Sequence, residues 1–223
     1  MEAAHEVTHR IVGTAIAVLL VLAGAPFSAF AQDPQAPTPP PSAPPSKVTI
    51  AKFLAGAALS LGLHESGHAG MALVFDAHPG VKGVSFGPIP FFAITHRDVS
   101  PAREYAISAA GFWMQAASSE WILTRRPDLR HQQAPVAKGV LAFHVLASTA
   151  YAIAAVAEIG PYERDTRSMA ASLRSNEGWV GAMVIAPAAL DLWRYRHPGS
   201  RWARWASRAA KVGMVLATAR AAQ

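Results

Sequence analysis

His64, Glu65 and His68 stand together in "LGLHESGHAGMALVF", residues 61–75. On a helix, positions i and i+4 lie one turn apart on the same face, so the two imidazoles can present nitrogens to one ion. Glu65 projects about one residue's rotation away, near the site but in a different direction. This is the HExxH spacing, in which two histidines bind zinc and the glutamate serves as general base for the zinc-bound water. The metal brings that water's pKa to around 7, and the carboxylate takes its proton during attack on a carbonyl. The flanking residues, Leu59, Leu61, Leu63, Met71, Leu73, Val74 and Phe75, are apolar. Ionisable groups in such a run are costly and point to function by default, and a bound zinc would offset the cost.

Two histidines leave a zinc site short of a protein ligand. A third histidine six residues on is ruled out, because position 74 is Val74. The downstream candidates within apolar segments are Glu104, Glu120, His144 and Asp191. Glu120 also reads as an interface residue beside Arg125 and Arg126, and Asp191 as a partner of Arg194. His144 shares a helical face with Ser148 and Tyr151, which suits a hydrogen-bonded packing residue or an auxiliary group orienting a ligand. Glu104, Ser108, Gly111, Gln115 and Ser118 follow spacings of 4, 3, 4 and 3 and form one stripe. That stripe either faces the site, with Ser108 and Gln115 binding substrate backbone, or glues helices together. Gly67 and Gly70 leave room for a neighbouring helix.

The elements that must position these groups are written in the hydropathy. Of the 223 residues 52% are hydrophobic and only 15% charged, below the roughly 25% charged residues of soluble proteins. Residues 1–31 read as a signal peptide ending in Ala29-Phe30-Ala31, or as an uncleaved anchor. Residues 32–47 hold seven prolines in sixteen positions, an extended linker. Four apolar segments follow, at about 48–75, 102–124, 136–157 and 178–195, and the last contains Pro187. Ser100 and Pro101 read as the start of the second. Residues 78–95, rich in glycine, proline and β-branched or aromatic residues, suggest a hairpin or re-entrant loop. The charges of residues 160–178 alternate and read as a solvated face, leaving Asp165 a marginal candidate.

Residues 198–223 form a basic tail, with Trp202 and Trp205 suited to headgroups. It accounts for much of the net charge of +6, and it favours an anionic lipid surface over nucleic acid, for which no motif is present. The chain has no cysteine, which excludes disulfides, thiolate metal sites and cysteine nucleophiles. A cleaved signal followed by four spans would leave the basic tail outside, against the positive-inside tendency, so orientation stays open.

"HESGHAGMALVFDAHPGVKGVSFGPIP" is similar to the opening of the site-2 protease family of intramembrane metalloproteases, where an HExxH helix precedes a short β-rich loop. Phe86-Gly87-Pro88 matches the turn that ends that loop. "SAAGFWMQAASSE", residues 108–120, resembles the family's Ala-Gly-Pro-x-x-Asn helix, with Phe112 in place of proline. "IAPAALDLWRY", residues 185–195, resembles the segment that supplies the third ligand, with Leu192 in place of glycine. The resemblance implies that Asp191 completes a zinc site with His64 and His68, and that Glu65 is the catalytic base.

The expectation is therefore an all-α integral membrane bundle of about four apolar helices, residues 48–197, with a short hairpin or re-entrant loop after the first. It would be a zinc peptidase acting on membrane protein or peptide substrates, in a bacterial-type inner membrane with an exported N-terminus. The alternatives are a catalytically silent membrane scaffold or metal-binding protein, and a haem protein pairing His64 or His68 with His144.

Overall fold

In the computed structural model, which describes residues 46–86 and 89–221, the HExxH segment lies on helix α1, Lys47–Val74. Ser46 caps it, its hydroxyl accepting from the Thr49 amide at 3.2 Å. The buried positions of α1 are Gly56, Ser60, His64, His68 and Ala72, one every fourth residue. Val48, Ile50, Leu54, Leu59, Leu73 and Val74 point outward and are exposed. The usual arrangement of a helix in water, apolar inward and polar outward, is inverted.

Strands β1 (Gly80–Phe86) and β2 (Ile89–Thr95) follow as an antiparallel pair, with Gly80 opposite Thr95 and Phe86 opposite Ile89. Helix α2, Pro101–Arg125, starts at Ser100 with Pro101 in its first turn, where the missing N–H costs nothing. A 3₁₀ turn at Leu129–His131 leads into α3, Pro135–Ala157. Then come α4 (Asp165–Leu173), α5 (Glu177–Arg196) and α6 (Arg201–Ala221).

Helix α1 packs against α2 and α3, and the crossings are set by glycines. A Cβ on Gly139 would run into the Phe53 carbonyl, one on Gly56 into the Val136 carbonyl, and one on Gly67 into the Ala110 backbone. Gly70 faces open space. The main apolar cluster forms where Tyr105, Phe112 and Trp113 of α2 meet Met169, Val180, Val184 and Met214 from α4, α5 and α6.

The expected bundle of four apolar membrane helices is not what the chain forms. Among the described residues there are six α-helices and one two-stranded sheet, and only α3 is long and apolar enough to cross a membrane. The reason lies in the charges of the other segments. Helix α1 carries Lys52 besides the HExxH trio, α2 carries Arg103, Glu104, Glu120 and Arg125, and α5 carries Glu177, Asp191, Arg194 and Arg196. The expected basic tail is helical, as α6, and packs on the rest of the chain. Helix α6 buries Ser207, Lys211, Met214, Val215 and Thr218 against the body. The expected signal peptide, nearly all of the proline-rich linker, and Gly87-Pro88 of the hairpin turn lie outside the described residues.

Candidate metal centre

The first turns of α4 bring a carboxylate to the two histidines. Nε2 of His64 lies 3.1 Å from Nε2 of His68 and 3.4 Å from Oδ2 of Asp165. Nε2 of His68 is 3.5 Å from the same oxygen. A tetrahedral zinc with bonds of about 2.0–2.1 Å places its ligand atoms about 3.3 Å apart, and the three donor atoms are spaced close to that. Both histidines are buried, while the Asp165 side chain keeps 17% exposure.

Two of the three donors are held from behind. Nδ1 of His68 is 2.8 Å from the Ile107 carbonyl; only an N–H can donate there, so in the neutral ring Nε2 keeps its lone pair for a metal. Asp165 is clamped through its two neighbours. The Arg164 guanidinium donates to both oxygens of Glu177, each at 2.7 Å, and the Thr166 hydroxyl reaches the same carboxylate at 2.7 Å. Lying in the first turn of α4, Asp165 also faces the favourable end of the helix dipole. Helix α2 passes so close that a Cβ on Gly111 would sit 2.5 Å from His68 Nε2 and 2.7 Å from His64 Nδ1.

Burial alone would raise the Asp165 carboxyl, but the adjacent His68 and His64 imidazoles hold it well below the usual carboxylate range. The cluster therefore calls for a positive charge beside Asp165, supplied by a proton on an imidazole or by a metal ion. The centre opens on a cleft of about 240 Å³. Glu65, His68 and Asp165 line it together with Val84 and Ile94 of the hairpin and Ala154 of α3. Lys82 of β1 pairs with Glu163 at 2.6 Å, joining the hairpin to the segment that leads into Asp165.

Asp191, expected as the third ligand, is engaged elsewhere. It is fully buried on α5 and accepts from Ser119 and Ser207 at 2.6 Å each. Lys211 lies 2.8 Å away and Arg194 3.2 Å away. Its cation is thus an ammonium delivered by α6. Glu120, the rival ligand, belongs to the same cluster, bound by Arg194, by Arg208 at 2.8 Å and by Lys211 at 3.0 Å. Burial pushes its carboxyl up, and these cations bring it down to about 2. For Asp191 burial is likewise outweighed, chiefly by Lys211, and its carboxyl stays well below the ordinary range.

The remaining candidates fall outside the donor triangle. His144 sits 3.6 Å from Asp191, too far for a hydrogen bond and directed at the ion cluster, whereas His64 and His68 converge on Asp165. Glu104 accepts from the Ser108 hydroxyl at 3.2 Å and lies 3.5 Å from His96, near the start of α2. Ser108 and Gln115 are buried, and neither lines this cleft.

Asp165 is the ligand candidate that sequence reasoning kept only as marginal, 101 positions from His64 and surrounded by charged residues typical of a solvated loop. The available signal was positional: a carboxylate opening a helix shortly after an apolar segment. Compared with models of known families, with curated proteins and with solved structures, the chain matches none.

Proposed function

We propose that the chain is a zinc-dependent peptidase of membrane protein or peptide substrates, with His64, His68 and Asp165 as metal ligands and Glu65 as general base. The observation that carries this reading is the donor triangle of 3.1, 3.4 and 3.5 Å at a cleft that Glu65 also lines. Zinc held there supplies a Lewis acid that acidifies water and polarises a carbonyl. Glu65 takes the proton from the attacking water and returns it to the leaving amine. The Ile107 carbonyl keeps His68 in one tautomer, and Glu177 fixes the chain on both sides of Asp165. The apolar hairpin and α3 walls of the cleft suit the side chains of an extended segment.

The membrane setting is supported by α3, which is long and apolar enough to cross a bilayer, and by the outward apolar side chains of α1 and α3. Leu54, Leu59 and Leu73 on the first, and Leu146, Ile153 and Val156 on the second, are exposed. Such a surface suits acyl chains better than water.

The test is Glu65→Gln, which keeps size and metal ligands but removes the base. Zinc should stay at the wild-type level while cleavage of membrane-derived peptides falls at least about a hundredfold. Cleavage by Glu65→Gln at the wild-type rate would overturn the reading. A zinc-loaded wild type inactive on a broad panel of membrane peptides would favour a metal-binding scaffold.

A further inference from the structure

We propose that Gln115 is a positioning residue of the metal centre: its side-chain carbonyl accepts the Nδ1 proton of His64 and so presents Nε2 to the metal. This rests on the metal reading above. If Nε2 is the metal donor, the neutral imidazole carries its single proton on Nδ1. That nitrogen is buried and has no hydrogen-bond partner among the described residues. A buried donor without an acceptor is an expensive arrangement that native structures rarely keep.

Gln115 presents the complementary problem. It is fully buried, and neither its Oε1 nor its Nε2 has a hydrogen-bond partner among the described residues. The Gln115 amide lies within interaction range of the His64 imidazole. Helix geometry explains the placement. Gly111 is the α2 residue that faces the Nδ1 edge of His64, and Gln115 lies one turn further along the same face. Helical side chains lean back toward the N-terminus, which carries the amide over the Gly111 turn toward the histidine rings that face it. A small rotation of the amide would pair His64 Nδ1 with Gln115 Oε1. His68 already has its counterpart in the Ile107 carbonyl at 2.8 Å, so each histidine would be fixed by one carbonyl oxygen from α2.

The experiment uses the full chain in detergent, with Gln115→Met, of similar volume and without the acceptor, and Gln115→Glu, which keeps it. By chelator competition, Gln115→Met should bind zinc about 10- to 100-fold more weakly than wild type, and Gln115→Glu should restore the affinity. In metal-free protein, nitrogen-15 NMR of the histidines should find His64 protonated on Nδ1 in the wild type and not held in that tautomer in Gln115→Met. A packing role would move neither the tautomer nor the rescue by glutamate. Zinc affinity in Gln115→Met within about twofold of wild type, with the tautomer unchanged, overturns this proposal alone. A wild type without zinc affinity overturns the metal reading as well. Should Gln115→Met fail to fold, a wild-type His64 protonated on Nε2 is enough to overturn the proposal.

Discussion

Gly111→Ala inserts one methyl group at the point where α2 passes closest to the histidine pair. The new Cβ would lie 2.5 Å from His68 Nε2, 2.6 Å from His64 Cε1 and 2.7 Å from His64 Nδ1. Ordinary contact for such atoms begins at about 3.5 Å, so each ring must retreat by roughly 0.8–1 Å. A zinc site tolerates about 0.2 Å in its ligand distances. The methyl group therefore opens the donor triangle by several times the tolerance, and zinc affinity should fall at least about a hundredfold. The fold should suffer far less. Overpacking costs about 1–3 kcal/mol, and alanine recovers about 1 kcal/mol over glycine inside a helix. The assay pairs chelator competition with a thermal melt followed by circular dichroism, and uses Gly70→Ala as control, because Gly70 faces open space. A folded Gly111→Ala protein that binds zinc within about threefold of wild type would refute the reasoning.

The ion cluster makes the fold acid-labile. The Glu120 carboxyl drops from 4.5 to about 2 in the folded chain, so its stabilisation is complete above the unfolded value near 4.5 and is lost as pH falls toward 2. The shift corresponds to about 3 kcal/mol, and Glu120→Gln should flatten the stability profile between pH 5 and 2 in denaturant titrations; an unchanged profile would contradict the assignment. Gly139→Ala should separate α1 from α3, because its Cβ would meet the Phe53 carbonyl. It should cost at least about 1–3 kcal/mol, and a variant as stable as wild type would show that the crossing is looser than described.

Much of the helix layout was legible because its punctuation is local. Ser100-Pro101 and Pro135 open helices within a residue or two of where hydropathy places them, and the Gly- and Pro-rich segment after α1 pairs as strands. Half of the candidate metal centre was legible too, because i, i+4 spacing on a helix is a local relation. The third candidate donor was not. Asp165 reaches His64 across 101 positions, and only the packing of α4 against α2 brings it there. The reasoning that led to Asp191 was sound in requiring a cation for a buried carboxylate, yet the cation is Lys211, twenty positions further along the chain. A basic tail reads as a lipid-facing surface when nothing local marks the acids it will pair with. The span count failed because α2 and α5 carry too much polar and charged character to qualify as spans, and they keep Glu120 and Asp191 in buried ion pairs within the protein.

Zinc bound per chain in purified Asp165→Ala, against wild type and Asp191→Ala, tests the donor triangle most directly. Wild type should hold about one zinc, Asp165→Ala should lose most of it, and folded Asp191→Ala should keep it even though its ion cluster is weakened. Full zinc in Asp165→Ala with loss in a folded Asp191→Ala would contradict the assignment and return the third ligand to α5.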